Sequence, residues 1–448
     1  MRSTNDIECE LLVIGAGMAG MAAALFAANR GVDVVQVGIP GEIIYASGLL
    51  DLIGVHPIER GRLWRNPWSA LDAVRRSAPE HPYARLSNET IRCALKEFTD
   101  FLAAFGPSYR CYRNRNVDVV TPAGTIKRTY AVPQSMWPGV LAWQRKAGCL
   151  LVDFTGLKGF SARQIRSVLQ NRWPGLRSAR LPFPGLSGEL FPERMAQYLE
   201  LPSSRRELAA AVRPLLEDAA VVGFPAVCGL TRTTEVVADL EQRIGRPVFE
   251  IPTLPPAVTG LRIKYTFERA LPELGVRTFY QNKVTAMKSA DATSLTYRLA
   301  CGDQIRRIRA QATVLASGRF IGQGLRADRQ KIHETIFDLP VTQPPHRCDW
   351  HQPEFLDRRG HPANRAGLEI DHGFRPRQAD GRPAFRHLYA AGSILAHADW
   401  MRMKCGAGLA IATAYGAVNA FQARRNSVGQ SPLDESSRPP LAGTPRGW

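Results

Sequence analysis

No Cys-x-x-Cys pair and no cluster of cysteine with histidine occurs in these 448 residues; the eight cysteines stand apart at 9, 93, 111, 149, 228, 301, 348 and 405. Their scatter argues against a zinc site or an iron–sulfur centre carried by this chain. In a chain without a secretory leader it points to reduced thiols in the cytoplasm, most of them packing residues. A leader is not expected, because the first apolar strand begins by about residue 10. Long apolar runs are missing as well. No stretch of 18 occurs, and the most apolar region, 208–230, is interrupted by Arg213, Pro214, Glu217 and Asp218. Membrane contact is therefore expected to be peripheral or through a partner.

Acidic residues are in short supply, 40 against 58 basic ones, for a formal charge of +18. Such a surface suits nucleic acid, an anionic membrane face, an acidic partner protein or a phosphorylated substrate. The basic residues are dispersed, as on a solvated face, and neither an RNA-binding aromatic motif nor a helix-turn-helix signature is present, so no nucleic-acid partner is expected. There is no Ser/His/Asp arrangement and no metal-ligand spacing. His81, His387 and His397 lack identifiable partners and read as surface or packing residues. No catalytic side chain is assigned: catalysis on this chain has to be electron or hydride transfer at a cofactor.

What is present begins with LLVIGAGMAGMAAALFAANRGVDVVQVG, residues 11–38. An apolar run suited to a central parallel strand leads through Gly15, Gly17 and Gly20 into an Ala-rich helix that Gly31 can end. In this spacing the first glycine permits the tight turn, the second lets backbone approach a phosphate, and the third lets helix and strand pack closely. The phosphate then sits on the positive helix N-terminus. The next strand, VDVVQV, places Gly38 where NAD and FAD sites carry a ribose-binding carboxylate, and Glu42 lies four residues late in a loop. The missing acid removes a partner for adenosine and favours FMN, with FAD as the alternative.

The length and 45% hydrophobic content allow a large core in two intertwined domains. The expected class is α/β, a Rossmann-like FAD/NAD(P)-binding flavoprotein fold with an inserted cap domain. Residues 1–60 form the first part of the flavin-binding domain, 61–200 the cap or insert, and 201–425 the remainder with a hairpin and a C-terminal helix. Residues 426–448, rich in Ser, Pro and Gly, read as a disordered tail. In the insert, Ile91, Leu95, Phe98 and Leu102 recur at helical spacing and predict a core-facing stripe. CLLVDFTG (149–156) and AAVVGFPAV (219–227) read as returns to a sheet, SLTYRLA and IRRIRAQ as a hairpin about CGDQ, and a long helix begins near Gly406.

Two further strand ends carry glycine: Ser317–Gly318 and Gly392–Ser393. Ligands of open α/β sheets sit at the carboxyl ends of strands, so these turns and Gly15–Gly20 can converge on one elongated cofactor. KCGAG then starts a helix at Gly406 and Gly408 whose N–H groups suit the negative charge of a reduced flavin, with Lys404 beside it; close helix packing is the competing account of these glycines. In ASGLLDL, Ser47 and Gly48 are candidate flavin contacts, with a generic loop as the competing account, and Asp51 reads as a helix cap before it reads as a group that orients the loop.

On VIGAGMAG, SGLLDL, APEHPY, TPAGT, IPTLPPAVTGLRI, VLASGRFIGQGL, LYAAGS and CGAG, the chain resembles the B-type flavoprotein family of the anaerobic, quinone-linked glycerol-3-phosphate dehydrogenase complex across most of residues 8–422. The resemblance implies an FMN-binding subunit, with a sister FAD subunit that oxidises glycerol 3-phosphate to dihydroxyacetone phosphate. It also implies an iron–sulfur subunit that docks the complex on the inner face of the cell membrane, with electrons leaving to the quinone pool. Two departures bear on the flavin edge and the substrate: CGAG has alanine within the glycine run, and ILAHADWMRMK is bulkier and more basic than the family's loop. Two alternatives stay open. One is a self-contained flavin dehydrogenase of another hydroxy compound or a paralogous redox subunit; the other is a basic flavoprotein that binds RNA or acts as a scaffold.

Overall fold

The computed structural model describes residues 6–287, 294–301 and 304–429. The chain opens with strand β1 (Asp6–Ile14), helix α1 (Met18–Ala28) and strand β2 (Val34–Gly38). Leu11, Leu12 and Val13 are fully buried, as a central parallel strand requires. Helix α1 has no polar face: its residues from Ala19 to Ala27 are all buried. Alanine lets a helix lie this close to other elements on all sides. Helix α2 (Asn88–Phe105) is capped by Ser87, whose Oγ accepts from the Thr90 N–H at 3.0 Å, and the stripe of Ile91, Leu95, Phe98 and Leu102 is buried as the spacing predicts.

An antiparallel hairpin of β3 (Val117–Val120) and β4 (Ile126–Thr129) follows. Then come β5 (Cys149–Phe154), β6 (Leu176–Leu181), β7 (Val221–Pro225) and β8 (Val248–Ile251). These four form a wholly parallel sheet in the order β8-β7-β5-β6. Around it lies a separate apolar core that includes Phe154, Trp173, Phe224 and Phe249. Segments 149–156 and 219–227 do return to a sheet, but to this second one. Cys149 is paired with Val221, so neighbours in one sheet lie on either side of the expected division at residue 200.

Helix α3 (Val258–Glu273) leads back to the first sheet through β9 (Arg277–Tyr280), β10 (Lys283–Met287), β11 (Leu295–Cys301) and β12 (Gln304–Leu315). The expected hairpin is β11–β12; its tip at 302–303 lies outside the described residues. Strand β13 (Leu388–Ala390) and helix α4 (Gly406–Gly429) complete the body. The seven-stranded sheet runs β9-β2-β1-β12-β11-β10, with β13 also on β12. Strand β12 is long enough to pair β11 near its start and β13 at its end, where Thr313 faces Leu388. Residues 426–429 of the expected tail belong to helix α4, and 430–448 lie outside the described residues.

Candidate functional site

Strands β1, β12 and β13 end side by side, which brings the three glycine-bearing turns together. Gly15 has φ +132°, and a Cβ there would stand 2.1 Å from the Ala316 carbonyl oxygen, so only glycine lets the first turn lie against the second. Gly17 is the N-cap of α1, with no side-chain cap and no acid in the first turn. Helix geometry leaves the first N–H groups without partners there, a ready seat for phosphate. The hydroxyl of Ser317, in the next turn, is buried without a hydrogen-bond partner.

Arg319 holds the second and third turns in place. It is 8% exposed and donates to the backbone carbonyls of Ser393, Leu395, Ala398 and Asn364. A buried guanidinium is costly unless its donors are satisfied, and here carbonyl oxygens satisfy them. Burial brings its pKa down to about 10, still charged at neutral pH. Sequence reading missed this residue; the only signal was a charge directly after an apolar strand and a Ser-Gly turn.

Two cavities lie over the turns and share Gly17, Tyr45, Ala316 and Ile321, making one elongated trough. The first, about 390 Å³, has Gly17, Ser47, Gly48, Gly318, Ser393 and Gly406 in its lining. The second, about 930 Å³, is bordered by Gly15, Gly17, Ser317 and Gly38 and extends to Asn282 and Arg326. Gly20, Gly392 and Gly408 stand in packing positions outside both linings, Gly20 in the close helix–strand contact that its spacing predicts and Gly408 as the competing account has it. A Cβ on Gly20 would stand 2.1 Å from the Gly15 oxygen, one on Gly392 2.5 Å from the Ala19 Cβ, and one on Gly408 2.8 Å from the Asp51 oxygen. The loop bearing Ser47 and Gly48 is tied to the insert: Leu50 and Ala131 exchange backbone hydrogen bonds of 2.9 and 3.2 Å.

Asp51 is not the side-chain helix cap expected of it. Its carboxylate pairs with Lys127 of β4 at 2.7 Å, while its backbone carbonyl accepts the Gly408 N–H at 2.8 Å. The histidines lie outside the linings of both cavities. His81 is buried, accepts the Tyr83 N–H at its Nδ1 and stacks on that ring. His397 contacts Glu369 at 3.2 Å, and His387 lies 3.5 Å from Arg424. Among the described residues, no group of three metal-ligating side chains gathers and no helix is long and apolar enough to cross a membrane.

The trough, the open N-terminus of α1 and the unpartnered Ser317 hydroxyl fit an elongated phosphate-bearing nucleotide. The FAD binding domain family matches residues 10–409, so the fold and site define a flavin-binding oxidoreductase of the Rossmann-like class. Among curated relatives, the probable B-type subunit of anaerobic glycerol-3-phosphate dehydrogenase from Halobacterium salinarum is 32% identical over 92% of this chain and 98% of its own. The corresponding B-type subunit of anaerobic glycerol-3-phosphate dehydrogenase from Yersinia pseudotuberculosis is 30% identical over 91% of this chain and 96% of its own. The chain belongs to this B-type family of anaerobic glycerol-3-phosphate dehydrogenase subunits. A solved 3-ketosteroid Δ1-dehydrogenase from Sterolibacterium denitrificans aligns with 93% of this chain and 100% of its own at a TM-score of 0.44 and 12% identity, too distant to carry an argument.

The family match supports FAD and gives no support to FMN as the first choice. The structure shows why Gly38 misled. A Cβ at Gly38 would stand 2.7 Å from the Ala16 nitrogen. Close approach of β2 to the nucleotide turn thus accounts for glycine here, without any appeal to a shorter ligand.

Proposed function

We propose that this chain holds FAD along the trough and serves as a flavoprotein subunit of a complex that oxidises glycerol 3-phosphate to dihydroxyacetone phosphate and passes the electrons toward the quinone pool. The observation that carries this reading is the convergence of three distant turns, the second and third locked together by Arg319, on one trough with a second lobe beside Gly38. When bound, the flavin accepts the electron pair. The chain's own part is to seat phosphate on the N–H groups at Gly17 and to present the α4 N-terminus, at Gly406 and Ala407, to the first lobe.

The insert, residues 61–200, acts in this reading as a cap, and Lys127 of its hairpin reaches the first lobe. The subunit names of the relatives support a multi-subunit assembly. A second flavin subunit and an iron–sulfur subunit complete it, attached peripherally to the inner face of the cell membrane.

Purification of the chain alone and with co-expressed partners tests the proposal. Acid extraction is expected to release stoichiometric FAD, and dye-linked oxidation of glycerol 3-phosphate to require the partners. Recovery of FMN would overturn the cofactor assignment, and full turnover by the lone chain would establish a self-contained dehydrogenase instead. Gly17→Val, which blocks backbone approach to phosphate, is expected to abolish flavin retention while the fold persists.

A further inference from the structure

The first lobe has one charged wall. Lys127 of β4 and Lys404, which follows the short helix Trp400–Met403, both line it together with Asp51. The rest of its larger side chains are mainly apolar, including Met18, Ile43, Leu49, Ile321, Trp400 and Met401. Two ammonium groups therefore face one carboxylate. Asp51 holds Lys127 at 2.7 Å, and among the described residues the Lys404 ammonium has no ion-pair or hydrogen-bond partner. Burial, and then repulsion from Lys127, pulls the Lys404 pKa below its ordinary value against the opposing pull of Asp51 and Asp399. The backbone fixes where Lys404 stands: its φ is +53°, and its Cβ is within 3.1 Å of where a Cβ on Gly54 would sit.

An excess positive charge in a mainly apolar cavity gains most from a ligand that brings negative charge and several acceptors. We propose that Lys127 and Lys404 form an oxyanion subsite on this chain that takes the doubly charged head of a small substrate, a phosphate monoester or a dicarboxylate, in competition with the Asp51 carboxylate that now holds Lys127. This assignment rests on the flavin reading above, since it sets the head group against the charged wall of the lobe that the glycine turns build. It requires that substrate touch this chain rather than a partner alone.

Isothermal titration calorimetry of the purified chain with glycerol 3-phosphate, inorganic phosphate and succinate tests it, with flavin content measured on the same samples. Saturable binding is expected, weakened at least about tenfold by Lys127→Gln and by Lys404→Gln. Restoration by Lys127→Arg is expected, along with unchanged affinity in Lys158→Gln, an exposed lysine outside the lobe's lining. Asp51→Asn removes the competing charge and is expected to tighten binding. A response to the phosphate compounds alone identifies a phosphate ester, and a response to succinate alone a dicarboxylate; both support the subsite. Binding that none of the lysine changes alters, no binding to a flavin-loaded chain, or equal losses in Lys127→Gln, Lys404→Gln and Lys158→Gln overturns it. A flavin-free chain that still binds anions through these lysines would sink the flavin reading and leave the subsite standing.

Discussion

The two larger sheets of this protein, one mixed and one wholly parallel, end differently, although each has an apolar core and buried central parallel strands. At the carboxyl ends of β1, β12 and β13 the chain places glycine, leaves N–H groups at the start of α1 open and encloses a trough. At the carboxyl ends of β7 and β8 it fills the equivalent space with its own charges. Glu250 of β8 accepts from both terminal nitrogens of Arg262 at 2.7 and 2.8 Å and from the Cys228 N–H at 2.8 Å, and Arg262 donates in turn to the Gly229 carbonyl. The pair is almost wholly buried, at 3% and 0% exposure. Strand ends of an α/β sheet are thus a ligand site only where the protein leaves their donors without an internal partner.

The largest expected effect lies in that plug, which also ties the second sheet to α3. Arg262→Met leaves Glu250 buried and unpaired, and should lower unfolding free energy by about 3–5 kcal/mol in denaturant titrations. A loss under about 1 kcal/mol, the scale of an exposed pair, would show that the plug is not what holds these ends together. Next comes Trp173, fully buried in the second core with its Nε1 donating to the Ala147 carbonyl at 2.8 Å. Trp173→Ala should cost about 3–5 kcal/mol. Retention of flavin by the folded fraction would show that the trough depends on the first core; flavin loss in step with far-UV signal would erase the distinction between the two bodies.

Gly38→Ala is expected to cost about 1–3 kcal/mol and to weaken flavin retention by pushing on the nucleotide turn. If Gly38→Glu instead tightened FAD, the second lobe would have room for a ribose-binding acid and the packing account would fail. At neutral pH the smallest effect concerns His81. Burial, reinforced by the nearby positive charges of His56, His397 and Arg365, lowers its pKa to about 3. A folded pKa below the unfolded value of about 6.5 means that its contribution is complete above that pH and shrinks as pH falls toward 3, by up to about 1.4 kcal/mol per pH unit. His81→Asn, which keeps an acceptor for the Tyr83 N–H, should flatten the acid limb of the stability curve; an unchanged limb would place the acid sensitivity elsewhere.

Much of the site was legible in the chain. The apolar run before Gly15, the Ala-rich helix after Gly20 and the glycines closing β12 and β13 have local causes, strand burial and close backbone approach, that spacing alone conveys. Gly38 was misread because the same absence of a side chain has two explanations, and only the 2.7 Å approach of Ala16 chooses between them. Gly20, Gly392 and Gly408 have the composition of ligand contacts and the surroundings of packing residues. Arg319, Lys127 and the role of Asp51 were not legible, since their partners lie 45 to 79 residues away for Arg319 and, for Asp51 and Lys127, one before the inserted segment and the other within it.

By itself the sequence determined the class of fold, the nucleotide turn and the family, because alternation, glycine spacing and motif order are properties of short stretches. The tertiary structure decided which glycines face a cavity, which charges fill a strand end and which stay available to a ligand. Those outcomes depend on distances between residues far apart in the chain, and hydrogen bonding and charge pairing fall off over a few ångströms.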